Sequence, residues 1–281
     1  MGIKSILVHL DSGVNVQGRV DAAAALALRY EAHLIGLAPA GWYALPPEGA
    51  GGGGLAAYQQ AAMNELRSRA LDCARLFQER VSLLGVTSYE GRVEMGYAGE
   101  VMTLAARYCD LAVVSQLNPD DACNGQSAQM AQEMLLRSGR PLLVLPFAGE
   151  CEVPAAARVL VGWDGSREAA RAMRDALPLL RQATSVEVAV FETPEDVGRN
   201  HGPMPGADIG LWLARHGLKV KVSYVPIKVA AGEALLSHAA DMGAQLIVAG
   251  GYGHSRLREA VLGGVTRTLM ASSPVPVLLS H

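Results

Sequence analysis

The chain has 281 residues, half of them apolar, and a net charge of -3. This is the composition of a well-cored globular protein, not of a disordered one. The near-balanced charge excludes broad electrostatic attraction to nucleic acid or to an anionic membrane, so any anionic ligand must be held by a local site.

The first strand is read at residues 3–8 and ends in Asp11. No basic segment with an apolar run and cleavage site precedes it, and no run approaches the roughly 20 apolar residues that span a bilayer. A cytoplasmic protein is therefore expected. Cys73, Cys109, Cys123 and Cys151 show no Cys-x-x-Cys spacing, which argues against a metal knuckle or disulfide framework and fits a reducing compartment. A second strand is read at 33–37, and the glycine run from Gly49 to Gly54 reads as a mobile loop. Strands at 111–114 and 141–144 close the first half. Near residues 149–155 charge, Gly and Pro replace apolar residues and mark a boundary. Beyond it come a strand at 160–163 ending in Asp164, a helix at 167–180, a strand at 186–190 and a connector at 201–208. A helix at 232–242 follows, with Glu233 in its first turn, then a strand at 246–249, a helix at 265–270 and a strand at 276–279.

These elements form one unit written twice. Residues 7–13 align with 160–166 and 33–37 with 186–190, both at an offset of 153, whereas 111–114 align with 246–249 and 141–144 with 276–279 at 135. The first half thus holds about 18 extra residues in its middle. Continuously apolar strands alternating with helical segments predict an α/β fold: two tandem doubly wound parallel-sheet domains, Rossmann-like, spanning 1–150 and 155–281. Ligands of such sheets sit beyond the carboxyl ends of the strands, where the strand order reverses.

The strongest chemical signal is a pair of glycine clusters. Gly250, Gly251, Tyr252 and Gly253 follow a buried strand, and Gly263 and Gly264 precede Val265, Thr266 and a helix. Glycines permit positive φ and close backbone approach to an anion, and a helix N-terminus offers unpaired N–H groups. The blander reading is a tight turn and a helix cap. There is no Walker-type lysine loop, no Gly-x-Gly-x-x-Gly after the first strand, no nucleophile elbow and no histidine pair at metal-binding spacing.

Residues 249–266, with Gly-x2-Gly-x9-Gly from Gly250 to Gly263, resemble the universal stress protein family, and both halves share its Asp-terminated first strand and Pro-flanked last strand. The resemblance implies a tandem member with an adenine nucleotide α-hydrolase-like fold, taking ATP, or ADP or AMP, with or without Mg²⁺. It places Gly162, Trp163 and Asp164 by the adenine and has Val190 wall the base. Gly250, Gly253, Gly263, Gly264, Val265 and Thr266 would hold ribose and phosphates, His254 and Arg256 would reach the phosphates, and Ala249 and Ser255 complete the set. Gly264 stands where the family usually has a hydroxyl residue, which removes one side-chain hydrogen bond that Thr266 would have to replace.

At the 135 offset the first half has Ser115, Gln116, Leu117 and Asn118 in place of the first glycine cluster, and Ala128 and Gln129 in place of Gly263 and Gly264. One nucleotide per chain is therefore expected, with a structural first half. Asp11 reads first as a turn or helix cap. Three functions remain in view: a non-catalytic nucleotide-binding stress protein, a slow ATP hydrolase using His254 and Arg256, or a nucleotide-independent scaffold. Family members commonly dimerise through their last strands, so residues 275–279 would pair with residues 142–145 in a pseudo-twofold monomer or with a second copy in a homodimer.

Overall fold

The computed structural model describes residues 2–41, 55–116, 124–192, 206–253 and 264–281. The first half runs β1 (Ser5–His9), α1 (Val16–Tyr30), β2 (His33–Pro39), α2 (Leu55–Leu83), β3 (Tyr89–Glu94), α3 (Ala98–Ala106), β4 (Leu111–Ser115), α4 (Asn124–Arg137) and β5 (Leu142–Leu145). The second runs β6 (Arg158–Gly162), α5 (Arg167–Leu180), β7 (Ser185–Glu192), α6 (Ala207–Arg215), β8 (Val220–Pro226), α7 (Ala231–Asp241), β9 (Leu246–Gly250), α8 (Gly264–Ser272) and β10 (Val277–Ser280). The predicted strands and helices recur with bounds shifted by a residue or two, as expected where ends are set by hydrogen bonds and not by composition.

All ten strands join one sheet in the order β3-β2-β1-β4-β5-β10-β9-β6-β7-β8. Each half repeats the doubly wound order, reversing between β1 and β4 in the first and between β6 and β9 in the second. Pairing within each half is parallel, and β5 meets β10 antiparallel, with Val144 opposite Val277 and Leu143 opposite Leu278. All four residues of each of these two strands are buried, because helices cover both faces of the sheet.

Strand alternation sorts the side chains into two layers. Ile6 and Val8 join Val20, Ala23 and Phe77 on the side of α1 and α2, and the same layer continues through Val161, Met173 and Val188 of the second half. Leu7 turns the other way, to Met102, Met134 and Leu135, in a layer that continues through Leu160, Leu235, Ile247 and Leu269. The extra length of the first half resides largely in helix: α2 has 29 residues where α6 has nine. At 1.5 Å per residue α2 is ~43 Å long, about twice the length of the six-residue strand that follows it. The expected Gly49–Gly54 loop lies outside the described residues.

Candidate functional site

The reversal between β6 and β9 opens a cavity of about 260 Å³ at the carboxyl ends of those strands, near the lower end of ligand-sized pockets. Gly162, Trp163 and Asp164 reach it from the end of β6, Ala249, Gly250 and Gly253 from β9 and its turn, and Gly264, Val265 and Thr266 from the first turn of α8. Nine of the fourteen residues singled out from the sequence thus share one wall. His254, Ser255, Arg256 and Gly263 lie outside the described residues.

Val190 does not line the cavity. It is fully buried on the opposite face of β7, where Gly206 closes over its side chain, and the next residue, Phe191, lines the cavity instead. The period of two along a strand makes a one-residue difference a change of face. Sequence reasoning also passed over Tyr252 as a wall residue, and Ala231 and Leu235, which face the cavity from α7. For Phe191 the usable signal was an aromatic ring one place beyond the apolar run. For Ala231 and Leu235 there was none short of the fold.

Packing within the fold by itself calls for glycine at two positions of the loop. Gly250, Gly251 and Gly253 lack positive φ, and the left-handed residue of the turn is Tyr252, at φ 58°. A Cβ on Gly250 would stand 2.5 Å from the backbone nitrogen of Ala169, and one on Gly251 2.7 Å from Leu135. Close packing of α5 and α4 against the turn demands both glycines. The bulky Tyr252 in αL is a strained backbone position of the kind that clusters at functional sites. Its N–H donates to Thr266 Oγ1 at 3.0 Å, which ties the turn to the first turn of α8. Burial pushes the Tyr252 phenol up from its ordinary value. No described residue lies within 4 Å of where a Cβ on Gly264 would stand.

Asp164 is bound into the local turn. Its Oδ1 accepts from the Ser166 N–H at 3.0 Å and from the Ser166 hydroxyl at 2.6 Å, while Ser166 Oγ caps α5 by accepting from Ala169 N–H. Glu168, buried in the first turn of α5, lies beside Gly250 and Gly253. Burial raises its carboxyl, but the Arg167 guanidinium at 2.6 Å outweighs this and holds it below the usual carboxylate range. Phe191 is backed edge-on by the His238 ring, at 5.8 Å between centroids. His238 Nε2 in turn stands 2.8 Å from the buried Glu187 carboxylate, which also accepts from Lys221 Nζ at 3.0 Å.

The reversal between β1 and β4 is chemically different. Arg19 of α1, 3% exposed, donates from Nε to the His9 carbonyl at 2.7 Å and from Nη1 to Ser115 Oγ at 2.9 Å, and its Nη2 lies 2.8 Å from Asp11 Oδ2. One guanidinium therefore bridges the ends of both strands. Ser115 is the counterpart of Gly250 at the 135 offset. Asp11 Oδ1 also accepts from Gly13 N–H, the turn role expected of it. Burial, reinforced by Arg19 and only partly opposed by Asp11, lowers His9 to about 4. A larger hollow of about 530 Å³ lies between α1 and α2 on the other face of the sheet, floored by Leu10, Val20 and Phe77. Both its rim guanidiniums are paired, Arg80 bidentately with Asp21 at 2.7 Å and Arg69 with Glu65 at 2.8 Å, and among its described lining residues, which include the first turn of α1, there is no glycine.

Residues 156–281 match the universal stress protein family. The second half of this chain is a universal stress protein domain. The whole chain superposes on a universal stress protein from Archaeoglobus fulgidus DSM 4304 with a TM-score of 0.73 and 14% identity, covering 98% of this chain and 97% of that one. A functionally unknown protein from Pseudomonas aeruginosa PAO1 gives a TM-score of 0.57 and 15% identity, with 99% and 92% covered. At such identities these likenesses speak for the fold. Among curated proteins none matches the chain in sequence. Among the described residues no helix is long and apolar enough to cross a membrane, and no group of His, Cys, Asp or Glu is placed to hold a metal ion. The universal stress protein half therefore carries the glycine turn, the cavity and the first turn of α8 that lines it, while the first half shares its topology.

Proposed function

We propose that the universal stress protein half binds one adenine nucleotide per chain, as ATP or as ADP or AMP, and that the protein acts without catalysis in a cytoplasmic stress response. The observation that carries this reading is the cavity between the ends of β6 and β9, with Gly250 and Gly253 on one side and the N-terminus of α8 on the other. Apolar walls of Trp163, Phe191 and Leu235 suit a purine, and the unpaired N–H groups and positive dipole end of α8 suit phosphate oxygens. Mg²⁺ would accompany a triphosphate from solvent. In this reading residues 1–150 and 155–281 are two domains related by a pseudo-twofold axis, the first of them structural, and Arg19 across the β1 and β4 ends supports that division of labour.

The test is to denature the purified protein, identify any released nucleotide by chromatography, and titrate ATP, ADP and AMP while following the melting temperature. Released adenine nucleotide or a concentration-dependent thermal shift is expected, and Gly253→Val should weaken binding by about tenfold, ~1.4 kcal/mol. No released nucleotide and no shift with any of the three would discard the reading in favour of a scaffold.

A further inference from the structure

The phosphate-facing helix of the second half is held at its other end by the first half. Gln116, the residue after β4, donates from Nε2 to the carbonyls of Ser273 at 2.9 Å and Leu269 at 3.3 Å, at the C-terminal end of α8. Its Oε1 accepts from the Phe147 N–H at 2.9 Å, and its own N–H donates to the Leu145 carbonyl at 2.8 Å. The amide is thus fixed to the exit of β5, and both its donors are spent across the junction between the halves. The Leu269 carbonyl already accepts from the Ser273 N–H at 3.3 Å, and the fixed Gln116 donors add to it, supply the Ser273 carbonyl just past the helix and complement the negative end of the dipole. Leu269 and Ser273 are both buried, so the Gln116 side chain supplies donors where water does not reach freely.

The counterpart of Gln116 in the second half is Gly251, at the 135 offset. The contact is reciprocal in place but not in chemistry, since Gly251 has no side chain and packs beneath Leu135 of α4. Each half therefore reaches the last helix of the other from the residue after its own fourth strand. Only in one direction does the contact end on a helix whose N-terminus opens into the cavity.

We propose that Gln116 is a positioning residue for the nucleotide site. By pinning the C-terminal end of α8, it sets the axial position of the N–H groups presented to the phosphates and lowers the ordering cost of binding. This rests on the nucleotide reading above. By linkage, a nucleotide that steadies α8 must also steady the Gln116 contact, so occupancy is felt at the junction of the halves.

The experiment compares wild type with Gln116→Glu and Gln116→Ala, measuring ATP binding by calorimetry and amide exchange of residues 264–272. Glutamate keeps the volume and the acceptor for Phe147 but offers α8 no donor. Gln116→Glu should weaken ATP binding by about fivefold, as expected for losing two neutral hydrogen bonds of which part is felt on binding. Exchange in α8 should accelerate in both variants, and ATP should protect the Phe147 amide in the wild-type protein. Wild-type affinity and wild-type α8 exchange in Gln116→Glu would overturn the proposal, because a space-filling role predicts that outcome. If the wild type binds none of ATP, ADP and AMP, the nucleotide reading falls. The hold of Gln116 on α8 is then still decided by exchange: acceleration in both variants upholds it, and unchanged exchange overturns it.

Discussion

Two strand-order reversals built on the same topology carry different chemistry. At β6 and β9 the strand ends part around a cavity, and glycines bring α5 and the turn of β9 into backbone contact. At β1 and β4 a buried guanidinium ties the strand ends together through the His9 carbonyl, Ser115 and Asp11. An aspartate follows the first strand in both, and in both it is bound into a turn, at Gly13 N–H in one and Ser166 in the other. The aspartate therefore does not distinguish the two sites. What separates them is whether the end of the fourth strand carries a side chain: Ser115 gives Arg19 a partner, while Gly250 leaves room only for backbone. Fold is common to the halves, and capacity for a ligand is decided by a few positions grafted onto it.

The comparison breaks most sharply at Arg19. Arg19→Met removes a buried guanidinium and its bonds to the His9 carbonyl and Ser115, while Asp11, 37% exposed, is left partly to water, which should cost ~2–4 kcal/mol. Chemical denaturation would measure this, and a loss below ~1 kcal/mol would mean that the guanidinium is not what holds the first reversal closed.

The next effect is a pH dependence that arises at His9 in the first half. His9 is lowered to about 4 in the folded protein from 6.5, so between those values the unfolded chain binds the extra proton and stability falls as pH falls. The loss should reach ~2–3 kcal/mol by pH 4. The Asp11 carboxyl is held below its ordinary value because Arg19 and His9 outweigh burial, and it adds a loss of the same sign at lower pH. His9→Asn should flatten the dependence between pH 6.5 and 4, measured as denaturation midpoints. Parallel curves for variant and wild type would assign the acid sensitivity elsewhere.

The smallest effect sharpens the second site. Among the described residues nothing lies within 4 Å of a Cβ built on Gly264, so Gly264→Ser displaces none of them and places a hydroxyl at the first turn of α8. Nucleotide affinity should rise by about tenfold, within the range of one charge-assisted hydrogen bond. Unchanged or weaker binding in calorimetry would show that the phosphates do not approach that residue.

Much of the architecture was legible because it rests on local periodicity. The repeat, the alternation of apolar strands with helices and the glycine turn after β9 can be read from single stretches of chain. The cavity wall was legible only in part. The family resemblance implies Val190 as a wall residue, but the register of β7 against β6 and β8 turns Phe191 to that side. The loop glycines are read as allowing positive φ and close approach to an anion; packing against Ala169 and Leu135, which no local pattern shows, adds a requirement at Gly250 and Gly251. The long α2 was hidden because a glycine run beside it reads as a loop.

The sequence by itself determined the elements, their duplication and the place of the glycine turn, since each depends on residues close together in the chain. Tertiary structure decided between the two pairings open to β10 by setting it against β5, and it alone decided that Arg19 reaches the end of β4 and that Gln116 grips α8. These contacts join residues 96 to 157 positions apart. No local pattern encodes such a partner, because a buried donor is satisfied by whatever acceptor the packed layers bring within reach.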